Sequence, residues 1–326
     1  MSALFDNKNL FVALTYRCNA FCKKCMTRYH VNRDIEMPPE IIDKIADLLR
    51  LRRYEGVISV GSGEPLLYPH FPHFFQSMLA VNDKISLRIL SNGKLLESGL
   101  PAEYFNPRCK WGVTMDAFTQ ASLQGFQNGV DIEQVKRNIT EIVHRYGRDC
   151  LYLNYTLHSR NHREFVDFCR FAVDLGVREV YATGLKIYEG YGERLRAYRL
   201  TDTPELRDSL AHAAKILEEA GVSSDGIQIG GDRWKPGCFL GNRASPIIDV
   251  DGTLAFCSGR EDAVIGSICD PDIESVWADM SERLARHPEY WCRFCHGKAL
   301  SGGDYSLPKT IDRDCLRRRT EAEKES

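Results

Sequence analysis

Leu10-Phe11-Val12-Ala13-Leu14-Thr15-Tyr16 runs straight into Arg17-Cys18-Asn19-Ala20-Phe21-Cys22-Lys23-Lys24-Cys25. The first stretch is an apolar run of strand length, as expected of a strand covered on both faces. Three cysteines at C-x3-C-x2-C spacing follow at once. Thiolates so spaced can wrap a compact loop around an iron–sulfur cube, each holding one iron. A four-iron cube needs four ligands, so three cysteines leave one iron open. An open coordination position marks a catalytic rather than a structural metal site. A zinc knuckle is the alternative that spacing leaves standing, although structural zinc prefers four closed protein ligands.

Outward from this loop, apolar runs recur at Val57–Gly61, Ser86–Ser91, Trp111–Met115, Leu151–His158 and Glu179–Thr183. Amphipathic segments lie between them. Residues 38–52 carry Ile41, Ile42, Ile45, Leu48 and Leu49 on one face, with Pro38 suited to a first turn. Residues 131–145 and 161–175 read as helices stopped at Gly147 and Gly176. Six strand–helix units in about 200 residues fall short of the roughly 250 residues and eight units of a closed α/β barrel. The expected fold is therefore α/β, a partial (β/α)6 barrel. Residues 186–200, rich in Tyr, Gly and Arg, read as a long loop, and Pro204–Ala220 as a helix.

From about residue 230 the pattern changes to hairpin, turn and cysteine. Ile247–Val250, Asp251-Gly252 and Thr253–Phe256 read as a β-hairpin. Cys238 precedes it, Cys257 ends it, and Cys292-Arg293-Phe294-Cys295 follows a helix-like segment. Four thiolates so arranged can close a metal site fully, and on spacing alone zinc suits it as well as iron and sulfide. The expected division is a barrel over 1–230, a small hairpin and helix domain over 231–300, and a charged tail over 301–326.

Composition narrows the classes of function. The chain has 326 residues, 43 Lys plus Arg against 45 Asp plus Glu, and a net charge of −2. That balance gives no electrostatic reason to propose nucleic acid or an anionic membrane as partner. Twelve cysteines without an export signal point to a reducing, cytoplasmic setting in which thiols serve metals or chemistry.

Four stretches at successive strand ends resemble the radical S-adenosylmethionine (radical SAM) superfamily. Its signature is CxxxCxxC after the first strand, matched by Cys18, Cys22 and Cys25. Ser62-Gly63-Glu64-Pro65 resembles the family's GGEP motif, which contacts the methionine amino group, and a carboxylate suits an ammonium. Ser91-Asn92-Gly93 resembles its TNG turn, and Thr114 with Asp116 the polar pair that approaches the SAM ribose or carboxylate. This chain departs from the family at Lys24, where an aromatic residue is usual, and at Asn128-Gly129 in place of Arg-Gly. Arg160 is a candidate for the missing charge. Cys238, Cys257, Cys292 and Cys295 resemble the Twitch domain, the shortened SPASM form. The resemblance implies two 4Fe–4S clusters, SAM, and an external electron donor of flavodoxin or ferredoxin type.

What it implies for the reaction is abstraction of hydrogen from a carbinol carbon of a small sugar or aminocyclitol, as among Twitch enzymes that act on aminoglycosides. The outcome would be epimerisation, with Cys269 as hydrogen donor, or dehydrogenation, with the auxiliary cluster as electron acceptor. A small substrate is expected because no leader-recognition segment precedes the first strand, and because Tyr188, Tyr191, Tyr198, Arg194 and Arg196 suit a hydroxylated ligand. The competing readings are a peptide- or protein-modifying enzyme of the same superfamily and a zinc-binding interaction module. Cys109, Cys150, Cys169 and Cys315 take no ligand role, and Cys169 belongs to a helix's apolar face. His30 and His158 fall near the expected functional face.

Overall fold

A computed structural model describes residues 8–25, 34–97, 99–185, 193–201, 203–228, 246–255, 264–276 and 278. In chain order the strands and α-helices are β1 (Asn9–Ala13), β2 (Phe21–Cys22), α1 (Pro39–Leu51), β3 (Val57–Gly61), α2 (Phe71–Leu79), β4 (Ser86–Ser91), β5 (Cys109–Met115), α3 (Gln120–Leu123), β6 (Gln127–Asn128), α4 (Ile132–Tyr146), β7 (Leu151–Leu157), α5 (Phe165–Asp174), β8 (Glu179–Gly184), α6 (Pro204–Glu219), β9 (Ser223–Gln228), β10 (Ile247–Ile248), β11 (Thr253–Ala255) and β12 (Val264–Ser267). The main sheet runs β12-β11-β10-β1-β3-β4-β5-β7-β8-β9. From β1 to β9 every pairing is parallel.

The helices begin and end for local reasons. Asp131 accepts from the amides of Glu133 and Gln134 and so caps α4, which Gly147 ends at φ 90°. Thr203 caps α6 in the same way through the Leu206 amide. Side chains alternate along each strand. Val12, Ile58, Val60, Ile89, Trp111 and Leu153 are buried on one face, each aliphatic side chain contributing about 1.5–3 kcal/mol.

The opposite face is polar and concave. β5 and β7 separate β4 from β8, about 14 Å in a flat sheet. Yet Arg88 on β4 donates to the Tyr181 hydroxyl of β8 at 3.0 Å, and Lys110 on β5 pairs with Glu179 on β8. Such contacts require the sheet to curl with this face inward. A Cβ at Gly112 would fall within 3 Å of the Tyr152 ring, so glycine in β5 lets that ring lie across the concave floor beneath Arg88.

The structure departs from the sequence expectations in four places. α2 appears where no helix is expected. β9 adds a seventh parallel strand after α6. The hairpin strand β10 pairs in parallel with β1, a pairing not expected from the sequence, so β10, β11 and β12 continue the main sheet. Glu193–Tyr198 forms a 3-10 turn within the segment read as a loop. Cys109 and Cys150 are buried at the N-terminal ends of β5 and β7, and Cys169 is buried in α5. Cys238, Cys257, Cys292, Cys295, Cys315, His30, Tyr188 and Tyr191 lie outside the described residues. Among the described residues no helix is long and apolar enough to cross a membrane.

Candidate active site

The cysteine loop leaves the C-terminal end of β1 and is pinned from two sides. β2, which contains Cys22, pairs antiparallel with β6, and the Lys23 amide donates to the Phe126 carbonyl at 2.7 Å. From the β4 end, Asn92 Nδ2 donates to Asn19 Oδ1 at 2.8 Å and lies 3.7 Å from Cys18 Sγ, while Lys94 Nζ donates to the Asn19 carbonyl. Cys18, Cys22 and Cys25 are partly exposed. Burial pushes the Cys18 and Cys22 thiols up, and each feels Cys25 electrostatically. Among the described residues no three Cys, His, Asp or Glu side chains gather around one ion. Three thiolates that each hold a different iron of a cube need no such gathering, so the donor set fits a cluster of that kind.

The second loop packs directly beneath. Ser62 and Gly63 take φ 68° and 143°, and a Cβ on Gly63 would collide with the Thr15 carbonyl and lie 2.9 Å from that of Arg17. The Glu64 amide donates to the Arg17 carbonyl at 2.8 Å. The Glu64 side chain is fully buried and accepts from Ser91 Oγ at 2.9 Å, the Asn92 amide at 2.9 Å and the Leu66 amide at 3.5 Å. Glu64 thus ties the SNG turn, held by its side chain, to the start of the cysteine loop, held by its amide.

Burial pushes the Glu64 carboxyl from 4.5 to about 7, against the pull of those three donors. The folded state therefore favours the protonated acid. Its contribution is complete below pH 4.5 and is lost as pH rises through about 7. Relative to Glu64→Gln, the wild-type chain is expected to lose stability between pH 4.5 and 7. Thermal unfolding of both proteins across that range checks it, and a pH-independent difference would contradict it.

The third element lies across the ends of β5 and β7. Asp116 is fully buried, and its Oδ1 pairs with Lys24 Nζ at 2.5 Å. Lys24 also bonds Thr156. Asp116 Oδ2 and His158 Nε2 are buried without a hydrogen-bond partner. Asn161 fixes both neighbours: its Nδ2 donates to the Asp116 carbonyl at 2.8 Å, and its Oδ1 accepts from the His158 amide at 2.7 Å. Glu164 anchors the loop after β5 by accepting from the Phe118 and Thr119 amides and the Ser122 hydroxyl. Thr114, half-buried in β5, faces Asn154 on β7.

Tyr198 folds over this end of the sheet. It is buried against Phe126, Leu185 and Leu195, receives a hydrogen bond from Lys23 Nζ at 3.1 Å and lies under the Arg160 guanidinium at 4.5 Å. Ser62, Gly63, Glu64, Pro65, Asn92, Thr114 and Asp116 thus come to the strand ends around the three cysteines. Cys269 does not join them. It is exposed beyond β12, the outermost strand on that side. Sequence reasoning missed the Lys24–Asp116–Thr156 contact and the tie through Asn161, whose only signal is a polar turn after an apolar strand.

Residues 12–172 match the Radical SAM superfamily. No curated protein matches the chain. Among solved structures, SuiB of Streptococcus suis bound to S-adenosylmethionine is similar at TM-score 0.68 and 12% identity, over 85% of this chain and 67% of that one. SuiB bound to the precursor peptide SuiA gives TM-score 0.67 and 12% identity, over 87% and 67%. Native anSMEcpe with bound AdoMet and the Cp18Cys peptide gives TM-score 0.65 and 17% identity, over 89% and 88%. At these identities the likeness is one of fold.

Proposed function

Residues 12–172 form a radical SAM domain, and from that premise we propose that the chain takes hydrogen from a carbinol carbon of a hydroxylated small molecule, an amino sugar or aminocyclitol. Cys18, Cys22 and Cys25 would hold the 4Fe–4S cluster. When bound, the reduced cluster would supply one electron to the sulfonium of SAM, the chemistry by which such a site takes a hydrogen atom from its substrate. Cys238, Cys257, Cys292 and Cys295 would hold an auxiliary 4Fe–4S cluster, which would accept the second electron of a carbinol-to-ketone oxidation while the hydroxyl proton passes to water. An external low-potential donor supplies the first electron. The division into 1–230, 231–300 and 301–326 belongs to the same proposal.

The observation that carries the substrate class is the polar concave face. Ser59, Thr114, Asn154, Thr156, Tyr181 and Thr183 alternate with the buried apolar residues of β3, β5, β7 and β8 and are themselves half-buried. Hydroxyl and amide groups suit a hydroxyl-rich ligand. Epimerisation with Cys269 as hydrogen donor is the other branch. The exposed position of Cys269, three ladders or about 14 Å out from β1, supports dehydrogenation instead. A second reading, peptide modification, has its own support in the peptides named with SuiB and anSMEcpe.

Anaerobic reconstitution tests the proposal. About eight irons and eight sulfides per chain are expected for two cubes, with SAM cleavage stimulated by polyols and not by peptides. A metal content of zinc without sulfide would refute it. A count near four would remove the auxiliary cluster, and stimulation by peptides alone would transfer the chain to the second reading.

A further inference from the structure

We propose that Lys24, Lys94 and Asp116 set the reduction potential of the cluster on the cysteine loop, the two ammonium groups raising it and the carboxylate lowering it. The proposal rests on the assignment of that cluster to Cys18, Cys22 and Cys25. Lys24 stands between Cys22 and Cys25 in the chain, and Lys94 reaches the loop from beyond the end of β4. Both lysines are half-buried and held in place. Lys24 Nζ donates to Asp116 Oδ1 at 2.5 Å and to the Thr156 hydroxyl. Lys94 Nζ donates to the carbonyl of Asn19, the residue after Cys18, at 3.0 Å. Asp116 is fully buried, and Asn161 fixes its backbone.

Reduction brings one electron, and so one negative charge, to the loop, with no bond made or broken. Fixed positive charge nearby favours that change and fixed negative charge opposes it. Half-buried charges are also screened less by salt than exposed ones. Besides burial, Asp116 acts against a thiolate at Cys22 and Lys24 acts for it, so both charges are felt at that ligand. The charges do not simply cancel. Asp116 offsets Lys24, and Glu36 offsets Arg17 at 2.9 Å. A carbonyl orients Lys94 without neutralising it. Lys94 therefore supplies a net positive field beside Cys18, and the loop can be charged by a less strongly reducing donor.

The test is stepwise reduction of the anaerobically reconstituted full chain by dithionite at known potential, without SAM, read by electron paramagnetic resonance. The signal that changes when SAM is added afterwards identifies the cluster on the cysteine loop. Lys94→Met should lower the ratio of reduced to oxidised cluster about fivefold at a fixed potential, about 40 mV for one electron. Lys94→Arg keeps the charge and should keep the wild-type potential. Asp116→Asn should raise the ratio by a similar factor, and Lys24→Met added to it should bring the potential back towards wild type. Lost packing or hydrogen bonding would not reverse sign with the charge removed. The two positions are judged separately, so failure of one variant to hold its cluster leaves the other to decide. An unmoved potential in Lys94→Met, equal shifts in Lys94→Met and Lys94→Arg, or a fall in Asp116→Asn would overturn the proposal alone. A wild-type chain that takes up no reducible iron and sulfide would overturn the functional reading and the proposal with it.

Discussion

A Cys22→Ala chain is expected to form 5′-deoxyadenosine only at the level of a protein-free control. Cys22 sits in β2, where pairing with β6 fixes its place in the loop, and two thiolates cannot hold a cube whose fourth iron is already open. The variant carries its own control. The proposed auxiliary ligands Cys238, Cys257, Cys292 and Cys295 are untouched, so iron should fall from about eight to about four per chain and not to zero. Iron analysis and chromatography of the SAM products check both numbers. Full 5′-deoxyadenosine formation by the variant would remove the cysteine loop from the chemistry.

Gly63→Ala is expected to be the most damaging single-methyl change in the described fold. Gly63 holds φ 143°, a conformation that costs an L side chain about 1–3 kcal/mol. The new Cβ would also press on the Thr15 and Arg17 carbonyls, backbone atoms that cannot rotate away, for about 1–3 kcal/mol more. Together these predict a loss of about 2–6 kcal/mol and an unfolding temperature lower by roughly 3–9 °C. SAM binding should fall with it, because this loop packs against the start of the cysteine loop at the Thr15 and Arg17 carbonyls. Calorimetry of the wild type and variant checks the stability, and an unfolding temperature within a degree of wild type would contradict the account of this loop.

The parallel strands were legible because each is an apolar run closed by a turn, and the three cysteines are adjacent in the chain. α2 was not, because Phe71, Phe74 and Phe75 beside Pro72 read as an apolar run without helix preference. β9 was not, because Ser-Ser-Asp-Gly looks like a turn; its backbone is recruited by pairing with β8. Lys24 and Asp116 are 92 residues apart, and the pairing of β2 with β6 carries the cysteine loop across to the end of β5. Tyr198, read from its Tyr- and Arg-rich segment as suited to a hydroxylated ligand, is buried against Phe126, a packing that segment's composition does not signal.

The most direct measurement is of wild-type protein, anaerobically reconstituted with iron and sulfide, reduced with dithionite and incubated with SAM. Methionine and 5′-deoxyadenosine are expected in equal amounts. Intact SAM after incubation with a fully assembled, reduced cluster would contradict it.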